Sequence, residues 1–183
     1  ASAALEDAIR AVNLSPGQGE FGLATETVLR SVSGTSHPEN ETSTAGKSDF
    51  LVSLDQLEQV APNLESVTLN VSWFGTDLRA GSCKIQPGVE AATKTNSPKS
   101  WSVNGVTRSG AHVVSQVGDL PAFRGTPADF AVVQAIAELR ARGKRVTFCP
   151  LVTMDVQPGN TLPNPYSANA AALGQPAYPG QDR

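Results

Sequence analysis

"TPADFAVVQAIAELRARGKRVTFCPLVTMDV", residues 126–156, decides the fold. Its first half carries helix signals at both ends. Thr126 is placed to cap, Pro127 to take the first helical position, Asp129 to supply the first-turn acid and Gly143 to stop the chain. These bounds predict a helix over 127–142, with Phe130, Val133, Ile136, Ala137 and Leu139 on its apolar side and Gln134, Glu138 and Arg142 opposite. The second half is β-branched and aromatic and reads as a strand over 144–156. Only Gly143 and Lys144 separate the two, the short connection of an α/β unit.

Upstream, residues 67–74 alternate: Val67, Leu69, Val71 and Trp73 point one way, Thr68, Asn70, Ser72 and Phe74 the other. Strand, long connection, helix, strand is a βαβ crossover, which makes the two strands parallel neighbours in one sheet. The expected fold class is α/β. Such sheets place their sites at the carboxyl ends of the strands. That puts the candidate site on the loop from Trp73 to Cys83 and on a neighbouring loop from Met154 to Tyr178. Asp77 and Asp155 bring two carboxylates to this rim, Arg79 adds a cation, and Trp73 offers a ring on which a sugar could stack. The plainer alternative is that Asp77 pairs with Arg79 to order the turn, Asp155 satisfies turn amides and Trp73 fills space.

The rest of the chain is arranged around this unit. Residues 2–12 read as a helical lead-in, with Ser2 as its cap and Leu5, Ala8, Ile9 and Val12 on one face. Residues 15–48 form an irregular excursion with a strand over 21–28. Ser53 and Gln56 make a capping box before Leu54, Leu57 and Val60, and Pro62 stops that helix. An insertion occupies about 89–125. It contains a hairpin turn at Asn104-Gly105, a short strand over 112–117 and a loop over 118–125.

Composition narrows the function classes. The chain has 183 residues, 39% hydrophobic and 17% charged, which suits one globular domain, and its 16 glycines and 13 prolines predict long loops. A net charge of −3 without basic clusters excludes a nucleic-acid footprint. No apolar run approaches the roughly 18 residues of a membrane span. Cys83 and Cys149 lie far apart and outside any paired motif, so two reduced, buried thiols are expected. His37 and His112 stand alone, so no metal is expected. "AGKS" at 45–48 lacks the first glycine of a phosphate loop, since position 41 is Glu41, and no cofactor is expected. The sequons at Asn40 and Asn70 read as chance matches. No Ser-His-Asp or Cys-His set is assembled. The first residue is Ala1 rather than Met, which suggests a processed product or a piece of a longer polypeptide.

The runs "VSWFGTDLRAGSCKIQPGVE" and "GTPADFAVVQAIAELRARGKRVTFCPLVTMDVQPGNTLPNPY", with the terminal "GQPAYPG", resemble a particular family. It is the glycoside-hydrolase-like TIM-barrel domain of the large baseplate hub protein, called megatron, of gene transfer agents and related tailed phages. "NLSPGQGEFGLATETVLR" and "DFLVSLDQLEQVAPNLESVTL" match the start of the same domain. The resemblance implies a lead-in over 1–14 and, over 15–183, the N-terminal βα units of a TIM-barrel-like domain that is incomplete in this chain. It implies a virion component at the tail tip, made in the bacterial host cytoplasm. Its partners would be other baseplate subunits, the rest of the hub and host-envelope glycan. A full barrel needs about 250 residues and its glycosidase carboxylates commonly come from later strands, so no catalytic residue carries over. Host attachment with carbohydrate contact is the expected role, and active cell-wall hydrolysis the alternative.

Overall fold

The computed structural model describes residues 4–15, 19–157, 160 and 162. The chain opens with one helical turn, α1 (Leu5–Ala8), and a strand, β1 (Ala11–Leu14). A hairpin follows, β2 (Leu29–Val32) and β3 (Thr35–Pro38), and then helix α2 (Asp49–Val60). The long strand β4 (Ser66–Gly75) leads into eight short strands. These are β5 (Ile85–Gln86), β6 (Gly88–Val89), β7 (Thr95–Ser97), β8 (Ser102–Val103), β9 (Val106–Thr107), β10 (His112–Val113), β11 (Gln116–Val117) and β12 (Leu120–Pro121). Helix α3 (Asp129–Ala141) and strand β13 (Arg145–Met154) complete the described fold.

The expected crossover is present. β13 runs parallel to β4 over its whole length, from Arg145 opposite Ser66 to Met154 opposite Gly75. β1 runs parallel along the other edge of β4, giving the order β1-β4-β13 with β5 hydrogen-bonded antiparallel to the end of β4. The protein is therefore a mixed α/β fold built on an open parallel sheet, and the described residues close no barrel.

One sheet face carries Val67, Leu69 and Val71, all buried, and both long helices pack on it. α2 contributes Phe50 and Leu54, and α3 contributes Ala131, Ala135 and Leu139. The small side chains at 131 and 135 let α3 approach the sheet closely, which turns the expected face: Val133 stays 65% exposed and Ala137 is exposed. Gln134, expected outside, takes hydrogen bonds to the first connection, accepting from the Thr25 N–H and donating to Glu26. Arg142 ties the helices together through Glu138, Asp55 and Glu58 at 2.7–2.9 Å.

Four local expectations are corrected. Residues 2–12 are not one helix; within the described part α1 is a single turn, and Val12 and Leu14 alternate as strand residues because the β4 edge offers their backbone partners. Ser2 lies outside the described residues. Residues 21–28 are not a strand: a 3-10 turn at Gly19–Phe21 leads into a loop, and pairing begins at Leu29. α2 starts before the expected capping box, with Ser48 as its cap, so Ser53 is an exposed interior position. Thr126 does not cap α3; its hydroxyl accepts from the Gly88 N–H and its carbonyl from the Trp101 indole, and the cap position is Ala128.

Other signals act as read. Gly143 ends α3 at φ +75°, with its N–H on Arg140 and that of Lys144 on Leu139. Asn104 and Gly105 both take positive φ between β8 and β9, the two-residue hairpin turn inside the insertion. The expected strand over 112–117 divides into β10 and β11, and residues 118–125 include β12 as well as loop. The thiols of Cys83 and Cys149 are free, but they are half-buried rather than buried as expected.

The first connection is organised by a buried amide. Asn40 accepts from the Val28 N–H at 2.8 Å and donates to Glu26 at 2.9 Å and Ala24 at 3.4 Å, which removes it as a glycosylation acceptor. Asn40→Ala would orphan these backbone groups at about 1–3 kcal/mol for each buried one. The expected result is a lower urea midpoint with an unchanged slope. An unaltered midpoint would refute the role given to Asn40.

Candidate functional site

The connections leaving β1 and β4 fold over the carboxyl end of the sheet and are joined to each other there. β7, from the second connection, adds to the hairpin of the first, giving the sheet β3-β2-β7. Beneath this seam lies a buried carboxylate, Glu20, shortly after β1. Arg108 grips it with two guanidinium hydrogen bonds of 2.8 and 2.7 Å, Lys94 reaches it at 2.9 Å and the Glu90 N–H donates to it at 2.8 Å. All three partners come from the second connection. Trp101 lies 5.9 Å from the Arg108 guanidinium and Phe21 5.8 Å from the Lys94 ammonium, so apolar rings screen the cluster.

Burial alone would push the Glu20 pKa up. The Arg108 hydrogen bonds and the charges of Lys94 and Arg108 outweigh it and hold the carboxyl below the usual range. Burial likewise pushes Lys94 down, and the surrounding carboxylates more than reverse it.

The Lys94 ammonium has two further partners nearer the surface, Glu39 at 2.7 Å and Glu90 at 3.3 Å. These carboxylates open onto a cleft of about 310 Å³ between the two connections, lined also by Arg30, Val32, His37, Pro38 and Arg124. Arg30 stands 3.9 Å from Glu39 and Arg124 3.8 Å from Glu90, both beyond hydrogen-bond reach. The cleft is charged, partly open and set on paired strands.

The structure places the four sequence-predicted residues elsewhere. Asp77 is closed by Arg79, through two guanidinium bonds of 3.1 and 2.7 Å and the Arg79 N–H at 2.8 Å. This pairing, led by the Arg79 hydrogen bond, lowers the Asp77 pKa. Asp155 is buried and accepts from the Ser115 N–H and hydroxyl, with His112 Nε2 2.7 Å away. Burial raises its pKa, but the His112 and Ser115 bonds bring it below the ordinary value. Ser, His and Asp do meet here, yet the serine points at the aspartate rather than the imidazole, so no nucleophile is activated. Trp73 sits on the helix side of the sheet, beside Val71, Val103, Val132 and Phe148. It therefore lines an apolar groove, while the aspartates each hold a loop. Of the loop expected over 154–178, most lies outside the described residues.

The residues that do form a cleft, Arg30, Glu39, Glu90, Lys94 and Arg124, went unread in the sequence. They come from separate excursions, and only the Glu90–Lys94 spacing of four hinted at a pair. Among the described residues no group of three or more His, Cys, Asp or Glu is placed to hold a metal, and no helix is long and apolar enough to cross a membrane. "AGKS" has a structural use instead: Ser48 caps α2 and Lys47 pairs with Asp55 at 2.9 Å. No family model matches the chain, and no curated protein matches it.

The lowered folded-state pKa values of Glu20 and Asp155 define a pH dependence. Their contribution to stability is fully present above the ordinary carboxylate range, near pH 4 to 5, and is lost as pH falls through the lowered values. Urea unfolding followed by tryptophan fluorescence should show a plateau above about pH 5 and a decline below it. Glu20→Gln should cost about 3–5 kcal/mol on the plateau, because Arg108 and Lys94 lose their buried counter-charge, and the gap to wild type should narrow in acid. A gap that stays constant down to pH 2 would exclude this linkage.

Proposed function

We propose that this chain is a structural component of a phage-like tail tip, a megatron-like baseplate hub, and that it contributes to host-envelope attachment through carbohydrate contact. The three parallel strands and two helices correspond on this reading to the first βα units of a TIM-barrel-like domain. The resemblance noted in the sequence supports it, as does the sheet order β1-β4-β13, in which chain order equals spatial order. The observation that carries the carbohydrate part is the charged cleft between the two connections over the carboxyl end of the sheet. That is the end at which parallel α/β folds bind their ligands.

A hydrolase is the second reading, and one distance favours it. Glu39 and Glu90 both contact the Lys94 ammonium, so the contacting oxygens are no more than about 6 Å apart, within the spacing of glycosidase carboxylate pairs. Against it, that ammonium fills the gap in which a glycosidic oxygen and a water would have to sit. Glu20, Asp77 and Asp155 are also consumed by internal partners. Binding without turnover is the better-supported outcome.

The test uses the full chain and purified bacterial envelope polysaccharide and peptidoglycan. Retention on one of these polymers without release of new reducing ends is expected. Absence of retention on all of them would remove the attachment reading. Reducing ends that appear with wild type and vanish with Glu39→Gln or Glu90→Gln would transfer the case to the hydrolase. Antibodies against the chain should label tail tips in electron micrographs of the particles, and label confined to heads would end the baseplate assignment.

A further inference from the structure

We propose that the cleft between the two connections is a binding site for an acidic sugar, a hexuronate whose carboxylate is taken by Arg30 and Arg124. The inference rests on the carbohydrate reading above and specifies its ligand. The charges decide the class: Arg30, Lys94 and Arg124 set three cations against the two carboxylates of Glu39 and Glu90, so the lining carries a positive surplus in a chain of net charge −3. The surplus sits in the outer cations. Lys94 is spent on Glu20, Glu39 and Glu90 at 2.7–3.3 Å. Arg30 and Arg124 each have only a carboxylate at 3.8–3.9 Å, so among the described residues their guanidinium N–H groups have no hydrogen-bond acceptor. A planar fork with open donors is suited to a carboxylate, which it holds by two parallel bonds.

The rest of the lining distinguishes a sugar acid from a bare anion. Glu39 and Glu90 face the same space and accept hydrogen bonds from hydroxyl groups, which a phosphate or sulfate ion does not offer in a comparable array. Val32 and Pro38 supply the small apolar contact that the C–H face of a pyranose requires. The strands and carboxylates that frame the site are held in place before a ligand arrives. Arg30 lies on the central strand of β3-β2-β7, directly opposite His37 on one side and Asn96 on the other. Lys94 fastens Glu39 and Glu90 from below, and Arg124 precedes Gly125, where an added Cβ would stand 2.7 Å from Glu20 and 3.0 Å from the Gly88 carbonyl. A cleft of about 310 Å³ matches the lower end of small-ligand sites.

Titration calorimetry and side-chain NMR of the full chain with glucuronate and galacturonate test this, with glucose and inorganic phosphate as comparators. Uronate binding should perturb the Arg30 and Arg124 guanidinium signals and weaken with added salt. It should fall about tenfold on Arg30→Ala and about tenfold again on Arg124→Ala. Both side chains are half-exposed or more, so the variants keep the fold, which an unchanged urea midpoint verifies. Glucose or phosphate binding as tight as uronate would overturn the proposal, as would uronate affinity indifferent to both substitutions. Uronate binding without retention on envelope polymers would keep this site and remove the attachment reading. Polymer retention that survives both substitutions would do the reverse.

Discussion

The fold at the carboxyl end of the sheet depends on a single buried charge. Glu20 sits on the turn after β1, and the three partners of its carboxylate, the Lys94 and Arg108 side chains and the Glu90 backbone N–H, come from the excursion after β4. Its own carbonyl accepts the Ala128 N–H at the start of α3. One residue thus joins the first connection, the second connection and the helix that leads to β13. Taking a carboxylate and an ammonium out of water costs several kcal/mol per ion, and the cost is met only when geometry and hydrogen bonding are complete. A half-formed version would be worse than none, so the arrangement specifies one packing of the two connections rather than adding much net stability. The glycine at 125 belongs to the same constraint, because a side chain there would meet Glu20.

The same device recurs at each strand end. Asp77, just beyond β4, is closed by Arg79, and Asp155, just beyond β13, is held by Ser115 and His112. Parallel strands release irregular backbone at their carboxyl ends, and a long excursion can be fixed there only by something stronger than scattered apolar contacts. Carboxylates accepting backbone and side-chain donors provide it. The cost falls on chemistry: acids committed to loops cannot also act on a substrate. What opens onto the cleft is Arg30 and Arg124 together with Glu39 and Glu90, whose carboxylates share the Lys94 ammonium.

Sequence legibility followed the range of the interactions. α3 and β13 were readable because their signals are local: Gly143 at the helix end, the short link and a run of β-branched and aromatic residues. The Asn104-Gly105 turn was readable for the same reason. β1 was misread, since Leu5, Ala8, Ile9 and Val12 have helical spacing and only the distant β4 edge makes 11–14 a strand. Thr126 looked like a cap from its neighbours, yet Gly88, 38 positions away, claims its hydroxyl. The cleft was invisible on the same grounds. Glu20 and Arg108 are 88 positions apart, and nothing in "GEFGLA" shows that its acid will be buried. Asp77 pairs with Arg79 as the plainer reading had it, whereas Asp155 is held by Ser115 and His112 from the insertion rather than by turn amides of its own loop.

The edge of β13 constrains what surrounds this unit. Register with β4 puts Val146, Phe148, Pro150 and Val152 on the helix side and Thr147, Cys149, Leu151 and Thr153 on the other. Phe148 is 50% exposed and Leu151 48% exposed, so uncovered apolar surface lies on both faces of the same strand. A helix laid on one side would cover Phe148 and leave Leu151 in water; a neighbour that extends the sheet and carries its own outer layer would cover both. Within such an extension the face of Asn13, Thr68 and Asn70 would turn inward. It is already prepared for that, because the Asn70 amide donates to Asn13 and Ser15 at 2.7 and 2.6 Å. An amide whose donors are paired is enclosed at a lower desolvation cost than an unpaired one. Exposed apolar side chains on both faces of β13 and the Asn70 pairing on the inner face are the features that bear on how this sheet edge is covered.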